Sequence, residues 1–206
     1  MSPKGKKPAG SAVRNPERTR RRILDAALQE FSARGFAGAR VGGIARRAKA
    51  NKRMLYHYFG DKEGLFRAVL RHKVSERLNQ IEAKAPQDDL ASSLPLWFKQ
   101  NCQDTEWVRL LAWESLQTTG DRVLDEDERL RITREAVGRI RKKQSAGRLR
   151  KDVPAAQLQL AKVSLSMFPL ALPQIARLIT GRSPRDPRFQ REYTKFLETI
   201  SAMFRP

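Results

Sequence analysis

Apolar residues recur three and four positions apart along almost the whole chain, and apolar–polar alternation of β-branched residues is absent almost everywhere. A period near 3.6 commits a chain to helices, each of which must bury one face. Ile23, Ala26, Ala27 and Phe31 set the pattern, and Phe189, Tyr193, Phe196, Ile200 and Phe204 close it. The 206 residues suffice for one sizeable core, or for a small domain joined to a larger one, and they contain no internal repeat. With 40% hydrophobic and 31% charged residues, the composition is that of a soluble globular protein. No apolar run approaches the roughly 18 residues of a membrane span, so no membrane partner is expected. A single cysteine, Cys102, rules out an intramolecular disulfide and fits a reducing compartment.

Helix ends are marked locally. Asn15-Pro16 can open a first helix, because Asn caps well and Pro suits the first helical position. Arg34-Gly35 can close it, with Gly35 free to take a left-handed cap. Two short helices are expected over residues 41–48 and 52–59. A fourth starts after Asp61 and runs through Leu65, Phe66, Val69, Leu70 and Val74 toward Glu82, and Pro86 marks a boundary. Five more follow. The fifth carries Leu90, Leu94, Trp97, Phe98 and Asn101 on one side, with Pro95 as a kink or late start. The sixth, residues 105–118, is apolar nearly all round and is expected to be buried. The seventh opens on four acids, Asp125 to Glu128, and closes on Arg139, Arg141, Lys142 and Lys143, a polarity that suits the helix dipole. The eighth spans residues 154–180 through Pro169 and Pro173, and the ninth ends the chain.

Charge is distributed unevenly. Residues 1–60 hold 15 Lys and Arg against three acids, Glu17, Asp25 and Glu30, whereas residues 61–206 hold 27 against 19. Such front-loading points to a polyanion. Nucleic acid is the first candidate, because cations that neutralise phosphates release condensed counterions. A membrane surface, or plain solubility, is the alternative that charge alone leaves open.

Residues 41–59, VGGIARRAKANKRMLYHYF, narrow the choice. Two helices that cross closely need a small residue at the crossing, which Ala45 supplies. They need apolar neighbours, which Ile44, Ala48, Ala50, Leu55 and Tyr58 supply, and a turn of three or four residues, here near Lys49 to Asn51. Asn51 can cap the second helix of the pair. On that helix Leu55, Tyr58 and Phe59 share one face, while Lys52, Arg53, Tyr56 and His57 point the other way. A face of that kind fits the DNA major groove. Arg53 is expected near base edges. Lys52, Tyr56 and His57 are expected on phosphate or sugar, which fix register without reading sequence.

These residues carry a resemblance. From Ile23-Leu24-Asp25-Ala26-Ala27 through Phe31, Gly35-Phe36, Ile44-Ala45 and Leu55-Tyr56-His57-Tyr58-Phe59 to Asp61-Lys62-Glu63-Gly64-Leu65-Phe66, residues 15–82 resemble the DNA-binding domain of the TetR family of transcriptional repressors. The resemblance implies phosphate contacts for Tyr56 and Lys62. It also implies an all-α fold: a flexible basic tail over 1–14, a three-helix helix-turn-helix domain over 15–60, a connecting helix over 61–85, and a helical ligand-binding and dimerisation domain over 86–206. The basic tail can serve as an arm on the adjacent DNA or as a non-specific electrostatic aid. Three positions depart from the family pattern. Arg40 stands where Ser or Thr usually caps the second helix; it can keep a phosphate contact but caps poorly. Gly42 and Gly43 each cost about 1 kcal/mol against Ala inside a helix. Lys49 replaces a turn Gly, and a left-handed backbone there costs on the order of 1 kcal/mol.

The second half carries no comparably specific motif. The family resemblance implies a pocket among the fourth to eighth helices, and Trp97, Phe98, Asn101, Trp107, Trp113, Glu114, Gln117 and Phe168 are the candidates for a small hydrophobic effector; the same residues could equally be core. The eighth and ninth helices are long and apolar enough to make a homodimer. With two histidines, one cysteine and no phosphate loop, neither catalysis, nor a metal site, nor a cofactor is expected. The sequence therefore reads as a cytoplasmic, non-enzymatic regulator, nucleoid-associated when bound to double-stranded operator DNA and released by an effector. The alternative is a non-inducible or architectural DNA binder that uses its second half only to dimerise.

Overall fold

The computed structural model describes residues 16–84, 90–117 and 123–206, with the side chains of 78–84, 90–93 and 117 left out of the description. Asn15, the basic tail and Pro86 lie outside the described residues. Among the described residues the chain forms ten helices and no strand: α1 Pro16–Gly38, α2 Val41–Arg47, α3 Lys52–Phe59, α4 Lys62–Lys84, α5 Leu90–Gln103, α6 Thr105–Gln117, α7 Glu126–Ser145, α8 Ala155–Ala171, α9 Pro173–Thr180 and α10 Pro187–Ala202.

The local signals act where the sequence put them. The Asn51 side chain accepts the Met54 amide at 2.8 Å and opens α3, and Asp61 accepts the Gly64 amide at 2.6 Å and opens α4. These caps satisfy helix N-terminal N–H groups that have no partner within the helix. Arg40 precedes α2 in an extended conformation without a side-chain cap, and Lys49 takes the left-handed backbone, φ 50°, that the turn demands.

Three expectations are corrected. Gly35 does adopt positive φ, 68°, but with ψ 177° it breaks α1 rather than ending it, and a last turn follows to Gly38. The eighth expected helix is two, α8 and α9, set at 87°. Pro169 is absorbed within α8, whereas Pro173 opens α9. Its ring disfavours a helical residue before it, and Leu172 sits at φ −122°, ψ 63°. The sixth helix is buried on one side only: Trp107, Val108, Leu110 and Glu114 are covered, but Arg109 and Ser115 face outward and Leu116 is 77% exposed.

The main core gathers Ile23, Ala27 and Phe31 of α1, Ile44 and Ala45 of α2, Leu55 of α3 and Leu65, Phe66 and Val69 of α4, and it continues without a break into Trp107, Val108 and Leu110 of α6. Each such Leu, Ile or Phe contributes about 1.5–3 kcal/mol when taken from water. Phe31 meets Phe66 edge-on at 5.0 Å, tying α1 to α4. A second cluster joins Leu94 and Phe98 of α5 to Ala176, Phe189 and Leu197 of α9 and α10, and a third joins Ile140 of α7 to Leu149, Ala155 and Leu158. The first three helices thus share one continuous core with α4 and α6.

Candidate nucleic-acid interface and effector site

The helix α3 has two faces of different character. Leu55 is 2% exposed and Tyr58 and Phe59 are half-buried, which anchors the inner face, while Lys52, Arg53, Tyr56 and His57 all stand in solvent. Tyr56, at 48% exposure, presents its ring and hydroxyl outward despite their apolar bulk. Helix spacing causes this split: 55, 58 and 59 lie within one 140° arc, and 52, 53, 56 and 57 fill the other. The Lys52 stem lies over Gly42, where a Cβ would stand 3.2 Å from Lys52 Cε.

Lys62 begins α4 beside this face. Its ammonium donates to the Ala37 carbonyl at 3.3 Å and lies 4.9 Å from the Phe36 ring centre. An ammonium has three donors, so further donors remain for a ligand oxygen. Arg40, exposed ahead of α2, gives its backbone N–H to Glu30 Oε1 at 3.3 Å and keeps its guanidinium free for solvent or ligand. Arg40 ahead of α2, Lys52, Arg53, Tyr56 and His57 on α3, and Lys62 at the start of α4 are therefore all exposed or half-exposed. An exposed helix of this kind on a buried back, with cations at both ends, defines a helix-turn-helix DNA-binding protein.

The seven expected pocket residues whose side chains are described take different places. Phe98 is core, 4.9 Å from the Tyr193 ring. Asn101 is wholly buried: its carbonyl oxygen accepts from Arg77 Nη2 at 2.7 Å and its amide donates to the Ser166 carbonyl at 3.1 Å. Trp97 lies between two cations, Arg77 at 5.6 Å and Lys162 at 4.5 Å from its ring centre, and Trp107 meets the same Arg77 at 5.4 Å. Glu114 is buried and pairs with Arg129 of α7 at 2.6 Å, while Arg109 instead donates to the Ala33 carbonyl at 3.2 Å. Trp113 is half-buried, Phe168 is 45% exposed, and the Gln117 side chain lies outside the described residues. Structure thus brings Trp97, Asn101 and Trp107 together around Arg77, and separates Phe168 and Glu114 from them.

Sequence reasoning missed the cations of this junction. Lys73 and Arg77 are 8% and 6% exposed and share Asp104, at 2.8 Å and 3.6 Å. Burial lowers the Arg77 guanidinium below its usual range. For Lys73, burial is outweighed by hydrogen bonds to Asp104 and Glu76, which hold the ammonium above its usual range. Burial, with Arg139 and Lys143 nearby, pushes Lys162 down to about 8. The approach of Lys73 and Arg77 on α4 to Asp104, about thirty residues further along the chain, is visible only in three dimensions. A separate cleft of about 710 Å³ opens between α4 and the start of α7, with Leu70, Val74, Leu124 and Ile132 as apolar lining and Arg71, Asp125, Glu128 and Arg129 among its charged groups. None of the seven expected residues with described side chains is among its lining. Among the described residues no group of His, Cys, Asp and Glu could hold a metal, and no single helix is long and apolar enough to cross a membrane.

Comparison with known proteins agrees with the class read from this geometry. A family model described as bacterial regulatory proteins of the tetR family matches residues 23–69, and one described as a tetracyclin repressor-like C-terminal domain matches residues 95–196. The HTH-type transcriptional repressor SCO4008 of Streptomyces coelicolor is 32% identical across 82% of this chain and 88% of that protein. The HTH-type transcriptional repressor NicS of Pseudomonas putida is 34% identical across 77% of this chain and 79% of that one. Among solved structures, the transcriptional regulator SCO4942 of Streptomyces coelicolor shares the fold with a TM-score of 0.75 at 24% identity, covering 91% of this chain and 99% of that chain. The chain belongs to the TetR family, whose role is regulatory rather than enzymatic.

Proposed function

We propose that this protein is a homodimeric cytoplasmic repressor that binds a palindromic operator and leaves it when a small apolar effector enters the cleft between α4 and α7. The observation that carries the DNA half is the clean division of α3 into a buried face and an exposed face of Lys52, Arg53, Tyr56 and His57. In this reading Arg53 meets base edges, and Tyr56, Lys62 and Arg40 hold phosphates.

The dimer half rests on exposed apolar surface. Leu172, Ile175, Leu178 and Ile179 of the α9 segment, with Phe168 of α8 and Phe196 and Met203 near α10, are 41–75% exposed. Contiguous patches of this kind on a soluble protein mark contact surfaces, and a two-fold pair of them sets two recognition helices one DNA turn apart. The sequence expectation of a homodimer through its eighth and ninth helices corresponds to α8 with α9 and to α10.

Release follows from position. The cleft is bounded by α4, and Leu65 and Phe66 of α4 share one buried core with Leu55 of α3. A ligand that prefers a shifted α4 lowers the population with matched recognition helices by its differential affinity for the two states. The test is fluorescence anisotropy on DNA selected by the protein from a random pool, followed by a screen of apolar compounds for release. Selection of a palindrome and release by a compound whose effect is lost in Val74→Trp support the reading. A selected palindrome with no releasing compound would instead make the protein a non-inducible DNA binder.

A further inference from the structure

Glu30 is 5% exposed and divides its charge between two arginines. It accepts the Arg40 amide at 3.3 Å and lies 3.4 Å from Arg34 Nε and 3.5 Å from Arg47 Nη1. Around it opens a concavity of about 390 Å³ lined by Glu30, Arg34, Arg40, Gly43, Arg46 and Arg47. Two guanidinium groups, Arg34 and Arg47, thus pair with the one carboxylate, while Arg40 and Arg46 also line the hollow. Among the described residues no acid pairs with the Arg40 or Arg46 side chain. Each guanidinium offers five N–H donors in a planar fork suited to carboxylate or phosphate, and one buried carboxylate at 3.4–3.5 Å occupies few of them. Excess positive charge gathered in a hollow repels itself unless an anion enters. The floor stays open because residue 43 is Gly: a Cβ there would already lie 3.5 Å from Glu30 Oε1, and any longer side chain would project into the hollow.

Position points to the anion. Residues 40, 43, 46 and 47 share one flank of α2 by helical spacing. The next flank carries Gly42, over which the Lys52 stem of α3 lies. A positive strip therefore runs from the recognition helix across α2 into the hollow.

We propose that the Arg34–Arg40–Arg46–Arg47 hollow binds a DNA backbone phosphate outside the bases read by α3, lengthening each protomer's footprint. Arg34 and Arg47 are held in place by Glu30, whereas Arg46 supplies unspent donors. This rests on the DNA-binding reading, and the contact is sequence-independent.

The test uses the full chain and two duplexes, the selected operator trimmed to its half-sites and the same operator with ten base pairs added at each end. Variants are Arg46→Ala and, as a second perturbation of the same exposed site, Arg46→Glu, with circular dichroism confirming the fold. On the long duplex, Arg46→Ala is expected to lose about tenfold in affinity, and the log–log salt slope is expected to flatten by about 0.9 per phosphate per protomer. On the trimmed duplex both variants should approach the parent. Equal affinity and slope on the long duplex overturns the proposal. Stabilisation of the parent, but not of Arg46→Ala, by inorganic pyrophosphate with an unchanged long-duplex slope also overturns it, in favour of a free-anion site. Failure of the parent to bind any duplex with a salt dependence overturns the DNA-binding reading itself, and this proposal with it.

Discussion

Replacing Asn101 by Leu should destabilise the protein by about 3 kcal/mol, although Leu is close to Asn in size and leaves little cavity. Asn101 is wholly buried at the meeting of α4, α5 and α8. Its loss leaves Arg77, 6% exposed, without the 2.7 Å bond to its Nη2. A hydrogen bond to a charged group is worth about 1.5–3 kcal/mol and the amide's bond to Ser166 about 0.5–1.5 more. The sum corresponds to a fall in melting temperature of about 6–12 °C for a chain of this length. Urea unfolding, read by extrapolation with the slope m unchanged, measures it. Arg77→Met adds a check: because the two side chains form one network, the double variant should lose less than the sum of the singles by about 1–2 kcal/mol. A loss below 0.5 kcal/mol for Asn101→Leu, or strict additivity with Arg77→Met, would mean that this network does not hold α4 to α5 and α8, and the reasoning that ties α4 to the second half would fail.

Other outcomes follow from single groups. Burial pushes the Cys102 thiol up to about 11 from 9.0, so native protein should react with a disulfide reagent at neutral pH about 100-fold more slowly than unfolded chain; equal rates would contradict that burial. Lys162→Met should stabilise the protein at pH 7, where the parent bears a buried ammonium. Because the folded pKa is about 8, below the unfolded value of 10.5, the parent gains stability as pH rises from about 8 toward 10.5, and the gap between the two should narrow there; a gap independent of pH refutes the assignment. Tyr56→Phe should weaken all operator variants alike, whereas Arg53→Ala should relax preference at one base position by about 1–3 kcal/mol, measured by competition between single-base variants. Uniform loss in both would mean that Arg53 reads no base.

Much of the DNA-binding half was legible because its determinants are local. Asn51 and Asp61 cap helices a few residues away, Lys49 takes its left-handed turn just before the Asn51 cap, and spacing alone separates Leu55 from Tyr56. Those features need no long-range partner, and they set the resemblance that led to the family. The second half was legible only as helices and apolar stripes. Arg77 meets Asn101 across 24 residues and Asn101 meets Ser166 across 65, and no short-range pattern encodes such a pairing. Glu114, in an apolar helix, suits a ligand or an arginine partner equally by sequence, and only the placement of α7 selects Arg129. Pro173 marked a break, but the 87° angle between α8 and α9 depends on the core they enclose. Glu30 went unnoticed although only three acids precede residue 60, since its role appears once α1 and α2 are placed together.

The most direct measurement is hydroxyl-radical footprinting of the purified protein on DNA flanking its own gene. Two protected patches facing one side of the helix, spaced by about one helical turn and abolished together by Arg53→Ala with Tyr56→Phe, are what a dimer with two exposed α3 helices produces. Protection without phase, or protection that persists when the α3 face is altered, would show that α3 is not the element that reads DNA.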